Sequence, residues 1–423
     1  MRRFSIFVVA IVAAACSSHS TVVPAPTNIQ PEIFQKQPLT KNGWTKFLLN
    51  AQNPAVGLAK GIAVDANQNV WVTAYWDYLK TGTLVKIAMD KTLAVYPLTI
   101  KPWAIAIGPD HDLWLSTAYG DFNYPGVIAR VSPTGVETDF TVSPGMFFSN
   151  IITGPDGALW FSACSADQRS GGFGRITTGG SYKIYPTICS WVIANGPDGN
   201  IWYGGNDKHI YKITTHGVLI GKYLVGERYI FSLTAGPDDA LYAIRQPNSG
   251  PEELIRVTTS GTVSHLGPDE YLDSLGSTIN GPDGNLWISA RHRYSNYLVT
   301  FDPHTSTWVS RIKGPAYWGI IIIGPDSNIW ETDSGRIDIY VRLAMKISPR
   351  PLRLRVGQTM DLNVAESNYI GQWSAQSSSP AIATITPNSN GNTFVVNGVT
   401  PGTARITVYD SMFNSVAENV TVR

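Results

Sequence analysis

Short apolar runs recur along most of the chain, each stopped by a turn rich in Gly, Pro, Asp and Asn. A typical run, Ala104-Ile105-Ala106-Ile107, is followed by Gly108-Pro109-Asp110-His111-Asp112 and then by Leu113-Trp114-Leu115. No long stretch carries the 3.6-residue period of an amphipathic helix, so the pattern predicts an all-β protein. The turn and the strand after it repeat as a phrase, GPDGNLW at 281–287. Relatives of it stand at 65–71, 108–114, 154–160, 196–202, 236–242 and 324–330. The closing aromatics are Trp71, Trp114, Trp160, Trp202, Tyr242, Trp287 and Trp330, spaced by 43, 46, 42, 40, 45 and 43 residues.

A period of roughly 40–50 residues with several short strands per unit is the signature of a β-propeller blade. Four strands can be placed in each unit. An apolar innermost strand precedes the phrase, and a second strand ends it. A third strand follows at Ile128–Val131, Phe173–Ile176, Ile210–Ile213 and Leu254–Val257, and a Gly-containing turn leads to an outer strand, as in Thr178–Tyr185. Seven copies predict a seven-bladed β-propeller over residues 40–345. The seventh unit reaches a third strand near Arg336–Val341 and has no fourth. Gly43–Leu49 reads as an isolated outer strand, so it is expected to complete the seventh blade and remove the exposed sheet edges.

The phrase itself reads as architecture. Gly permits positive φ, Pro fixes φ near −65°, and Asp can bond its own backbone across the turn. The aromatic is placed to fill the wedge between sheets. Asp65-Ala66-Asn67-Gln68-Asn69 has the opening of a calcium loop but lacks the later glycine and terminal Glu.

From Lys346 the period vanishes. Alternating apolar residues with frequent turns predict a small β-sandwich over 346–423. The order Val356-Gly357-Gln358-Thr359, Trp373-Ser374, Ile382-Ala383-Thr384-Ile385 and Pro401-Gly402-Thr403-Ala404 resembles a bacterial Ig-like group 2 domain. That resemblance implies a spacer or adhesive module.

At the N-terminus, Arg2-Arg3 precedes an apolar run from Phe4 to Ala15 that is too short to span a bilayer. Ala13-Ala14-Ala15-Cys16 resembles a bacterial lipoprotein processing box, which implies a signal over 1–16, lipidation at Cys16 and a flexible tether over 17–39. The alternative is an ordinary secretory signal with a chance cysteine. The expected location is the bacterial cell envelope, lipid-anchored at the outer membrane or surface, or secreted. Only Cys164 and Cys189 remain, and in an exported chain they suggest a disulfide, two buried thiols being the alternative. Among 423 residues there are 32 Lys and Arg against 31 Asp and Glu. That balance supplies no field for nucleic acid, which is not expected as a partner. The chain is expected to act as a monomer.

The repeated Gly-Pro-Asp-Gly-Asn-Leu-Trp, with an Ile-x-Arg-Ile-like third strand after it, resembles the virginiamycin B lyase (streptogramin lyase) propellers over about residues 40–345. The resemblance implies a His five residues before the motif glycine as general base. It also implies a Glu three residues after the aromatic as magnesium ligand. The His positions here hold Lys60, Trp103, Ser149, Trp191, Phe231, Gly276 and Gly319. The Glu positions hold Ala74, Thr117, Ala163, Gly205, Arg245, Ala290 and Asp333. No pair recreates a base and a metal cage, so streptogramin lyase activity is not expected, nor is a cofactor.

The same channel end offers aromatic and basic residues instead: Lys60, Tyr75, Trp76, Trp103, Tyr119, Trp191, Phe231, Arg245, Arg291 and Trp318. Such a cup suits stacking on sugar rings or gripping an extended peptide. Packing of these rings between blades is the structural alternative for any one of them. The chain thus reads as a surface-tethered binding protein for a glycan or peptide. The alternative is a metal-dependent lyase or hydrolase with a relocated site at Glu331, Asp333 and His292.

Overall fold

A chain that leaves one apolar strand and enters the next within five residues needs a turn that satisfies its own polar groups. The computed structural model shows how this sequence does so. It describes residues 44–49, 56–88, 92–117, 125–165, 167–226, 229–267, 269, 271–281, 284–314, 319–325, 328–333, 336–340, 346–365, 373–388, 393–410 and 415–423. The motif Asp accepts from the backbone two residues on, as Asp65 does from Asn67 N (2.9 Å) and Asp198 from Asn200 N (3.2 Å). It also accepts from the closing aromatic. Indole Nε1 of Trp71, Trp114, Trp160 and Trp202 donates to Asp65, Asp110, Asp156 and Asp198 at 2.8, 3.1, 2.9 and 3.1 Å. Where Tyr242 replaces Trp, its hydroxyl donates to Asp238 at 3.1 Å.

A cation from the third strand completes the group. Arg175 Nε lies 2.7 Å from Asp156, Lys212 Nζ 2.6 Å from Asp198, and Arg256 Nε 2.6 Å from Asp238. For Asp65, Asp156 and Asp198 burial pushes the carboxyl up, but the hydrogen bonds outweigh it and hold all three below the usual carboxylate range.

The architecture is all-β. Among the described residues, seven four-stranded antiparallel sheets run up to Tyr340. The second, for example, orders Pro102–Ile107, Leu113–Thr117, Pro125–Val131 and Glu137–Pro144 from inside to outside. In the seventh, Trp44–Leu48 supplies the outer strand and pairs antiparallel with Arg336–Tyr340. The two ends of the array are thus closed by backbone hydrogen bonds.

The motif aromatics are buried, and each packs into the core of the following sheet. Trp71 joins Ile105, Leu113 and Leu115 of the second sheet, and Trp330 joins Val70, Val72 and Val85 of the first. Outer-strand aromatics lie against the motif rings: Tyr96 on Trp71, Phe140 on Trp114 and Tyr223 on Trp202, with centroids 5.7, 5.6 and 5.4 Å apart. The next sheet's outer turn presses on that second ring. Gly180, at φ +86, sits where a Cβ would meet Phe140 at 2.3 Å, so neither the angle nor the space admits a side chain.

After Lys346 two further four-stranded sheets bury one common cluster that includes Leu354, Leu362, Phe394, Val396, Ile406 and Val420. Leu352–Leu354 and Ser415–Val422 pair in parallel, while the other pairs are antiparallel. The leader, Cys16, the tether, Tyr119 and Trp318 lie outside the described residues.

One buried carboxyl lacks the treatment given to the motif aspartates. Glu137 is fully buried on the outer strand of the second sheet and accepts from Thr99 N at 2.8 Å. Its neighbour Asp139 accepts from Thr99 Oγ1 at 3.1 Å, and Glu137 Oε1 and Asp139 Oδ1 have no partner among the described residues. Burial pushes Glu137 up to about 7, opposed by the Thr99 amide and reinforced by Asp139.

Two outcomes follow from this packing. Asp156→Ala strands the Trp160 indole and the Arg175 guanidinium together, and should lower unfolding free energy in denaturant titration by about 1–3 kcal/mol. Glu137 is protonated in the fold at pH values where the unfolded chain ionises it. Its stabilising share is therefore complete below about pH 4.5 and lost as pH rises through about 7. The stability difference between wild type and Glu137→Gln should shift across that window by on the order of 2 kcal/mol; a difference independent of pH would refute the assignment.

Candidate functional site

The innermost strands do not run straight past one another. In the first six sheets each carries one residue more than its partner, with register breaks at 59/62, 102/105, 148/151, 190/192, 230/232 and 275/278. Such bulges redirect side chains and leave an amide unpaired. A hydroxyl two residues after the motif aromatic takes that amide. Thr73 accepts from Gly61 N at 2.8 Å, Ser116 from Ala104 N at 3.0 Å and Ser289 from Ser277 N at 2.9 Å. In the seventh sheet Thr332 does the same for Ile320 N at 2.9 Å. The fourth and fifth sheets carry Gly204 and Ile244 at this place, and there the backbone pairs directly with Val192 and Ser232.

The hydroxyls also cross between sheets. Thr73 Oγ1 donates to Trp103 O at 2.6 Å, and Ser149 Oγ donates to Trp191 O at 2.8 Å. This recurrence of Thr73, Ser116, Ser162, Ser289 and Thr332 is visible in the sequence, and reading for apolar period alone passes over it.

The bulges open onto a central cavity of about 490 Å³. Its wall is uneven. Trp103, Phe147, Trp191 and Phe231 supply rings from the second to fifth sheets, while Gly61, Gly276 and Gly319 line the side formed by the first, sixth and seventh. Trp191 meets Phe147 edge-on at 6.1 Å. Behind them Cys164 and Cys189 form a disulfide with Cα atoms 4.4 Å apart, buried in one cluster with Phe147 and contacted by Trp191. The bridge joins the third and fourth sheets beneath two of the cavity's rings.

The proposed cup is therefore brought together only in part. Trp103, Trp191 and Phe231 reach the cavity. Tyr75 is buried, so it is no free stacking surface; it lies 6.4 Å from Trp103 and supports that ring from behind. Lys60 Nζ sits over both, 4.9 Å from the Tyr75 centroid and 5.3 Å from that of Trp103. Trp76 stacks on the exposed Tyr78 at 6.0 Å. Arg245 is engaged by Glu253 through Nε and Nη2 at 3.0 and 2.7 Å, which neutralises it. Arg291 lies one residue before the end of the second strand of the sixth sheet, Leu286–His292, paired across its backbone with Ser274 and Asn296.

Two members of the alternative metal set make other contacts. His292 stacks on Tyr271 at 4.0 Å and points Nδ1 at Asp273, 3.5 Å away. Glu331 is buried against Gly319, and Asp333 pairs with Arg336 through the backbone, its side chain outside the description. Among the described residues no three His, Cys, Asp or Glu side chains are grouped to hold a metal.

Sequence comparison matches the virginiamycin B lyase family to residues 91–267. The chain carries a virginiamycin B lyase-like β-propeller. Solved structures similar to it include a streptogramin B lyase, at 18% identity and TM-score 0.56, covering 70% of this chain and 96% of that one. Virginiamycin B lyase from Staphylococcus aureus gives 21% and 0.54, covering 70% and 98%. A fungal alcohol oxidase of the AA5 family, in complex with copper, gives 11% and 0.53, covering 90% and 98%. At these identities the propeller shares a fold with its neighbours and no more. No curated protein matches the sequence.

The hydroxyl ties give a direct test of how the propeller's mouth is held. Thr73→Val leaves Gly61 N and Trp103 O without their partner and should cost about 1–3 kcal/mol in denaturant unfolding, with Thr73→Ser near wild type.

Proposed function

We propose that this chain is an exported, surface-tethered binding protein, a seven-bladed propeller carrying a bacterial Ig-like display module, and that it recognises a glycan or an extended peptide at the channel mouth without streptogramin lyase activity. The observation that carries the reading is the cavity of about 490 Å³ with indole and phenyl rings along one side. Flat apolar rings stack on the apolar faces of sugars or on peptide side chains, and a few polar groups around them fix orientation. Of the seven positions that the lyase resemblance assigns to a base none holds His, and three hold Trp103, Trp191 and Phe231, groups that move no proton. The paired ends of the propeller and its buried disulfide suit life outside the cytoplasm.

Trp103→Ala combined with Trp191→Ala should leave circular dichroism unchanged and abolish binding in a screen of immobilised glycans and peptides. If the double variant binds as wild type does, or if wild type binds neither class, the reading fails.

A further inference from the structure

Two lysines gather near one of the rings on the cavity wall, Trp103. Lys60 Nζ lies 4.9 Å and Lys101 Nζ 4.7 Å from the centroid of the same ring, Tyr75. Lys101 also donates to the backbone oxygen of Asp77 at 3.0 Å. Among the described residues neither ammonium has a carboxylate within ion-pair distance. Asp77 is the carboxylate whose charge acts on Lys60, and it favours the protonated form. Several cations elsewhere in the propeller are matched: Arg175, Lys212, Arg245, Arg256 and Arg311 sit at 2.5–2.7 Å from carboxylates. Lys86, Lys183 and Lys222 each lie over a ring of their own, whereas Lys60 and Lys101 converge on one, beside Trp103.

We infer that the ligand is an acidic polysaccharide whose carboxylate or sulfate is received between Lys60 and Lys101 while a neighbouring sugar ring stacks on Trp103. This rests on the glycan half of the function proposed above. Two ammonium groups facing one ring repel each other, and Lys60 is half withdrawn from water. An anion placed between them removes the repulsion and replaces the lost hydration with charge-assisted hydrogen bonds. Burial, with the Lys101 charge and against the opposing charge of Asp77, holds the Lys60 amine below its ordinary pKa, so an added anion stabilises its charged form. The Tyr75 ring that both lysines approach is itself buried and so held in place. A peptide ligand with acidic side chains could use the same charges, but the adjacent indole and the wide, glycine-lined side of the cavity favour a stiff chain of rings.

Affinity electrophoresis of the full chain at physiological salt tests this, with dextran, carboxymethyl dextran, dextran sulfate or polyglutamate in the gel. Both charged dextrans, or one of them, should retard wild type, and plain dextran should do so at least about tenfold more weakly. Retardation by only one charged form identifies carboxylate or sulfate as the group received. Lys60→Gln with Lys101→Gln should lose the retardation, Lys60→Arg should keep it, and Lys183→Gln with Lys222→Gln, on outer strands, should change nothing. Circular dichroism confirms that each variant is folded. Equal retardation by plain dextran overturns the charge inference while leaving sugar binding intact. Equal or stronger retardation by polyglutamate assigns the lysines to an acidic peptide and overturns it too. No retardation by any of the four also overturns it, and the fate of the broader reading then rests on the Trp103 and Trp191 variants.

Discussion

The hydrogen bond from the motif indole to the motif aspartate is the contact on which the rest of the propeller depends. A Trp in the wedge between sheets must bury its ring and still satisfy one N–H. The Asp does this from within the same seven residues, so the ring's position is set locally, before any other sheet is in place. The Asp is in turn neutralised by a cation on the third strand of its own sheet. Third-strand cations reach further: Lys212 Nζ donates to Thr259 O, and Arg130, which pairs with Asp112 of its own turn, donates through Nη1 to Thr178 O, both carbonyls of the following sheet's outer turn. One local group thereby orients a core ring, a surface cation and the neighbouring sheet. Replacement of Trp by Tyr242 keeps the bond through a hydroxyl, which shows that the requirement is a donor on a large ring and not an indole as such.

Closure of the array is a separate constraint. Repeats that contact only their neighbours leave two unsatisfied ends. Here the first described strand, Trp44–Leu48, is hydrogen-bonded to the last strand of the seventh sheet, so the ends of the chain segment meet in one sheet. Trp330 then packs on the first sheet as every other motif aromatic packs on its successor. Between the third and fourth sheets a covalent bridge adds to the non-covalent contacts, and it lies under the rings that face the cavity.

Much of this was legible in the residues. The seven spaced aromatics gave the register, the missing fourth strand after Arg336 and the orphan strand at Gly43–Leu49 pointed to the end-to-end pairing, and the two leftover cysteines pointed to each other. What a linear reading could not supply was depth. Tyr75 and Trp103 are alike in sequence as aromatics near strand ends, yet one is buried and the other lines the cavity: Tyr75 ends a second strand, whereas Trp103 stands in the bulge of an innermost one. Arg245 likewise reads as a free donor until Glu253, eight residues away across a strand pair, is brought against it. The hydroxyls at Thr73, Ser116 and Ser289 are individually ordinary, and only the unpaired amides of the bulges give them a role.

The same geometry explains why a shared fold says so little here about activity. Seven equivalent motif positions hold six Trp and one Tyr, because each must fill a wedge and donate one hydrogen bond. Six equivalent bulge positions and the matching place before the seventh sheet's innermost strand hold Lys60, Trp103, Ser149, Trp191, Phe231, Gly276 and Gly319, five residue types. The bulge's backbone is satisfied by a hydroxyl from the next strand or by direct pairing, so that pairing does not dictate which side chain stands there. It is free to be a base, a ring, a cation or nothing. In this chain the freedom has been used to line one side of a channel with rings, to leave the other side open with glycine, and to set a lysine at the boundary between them.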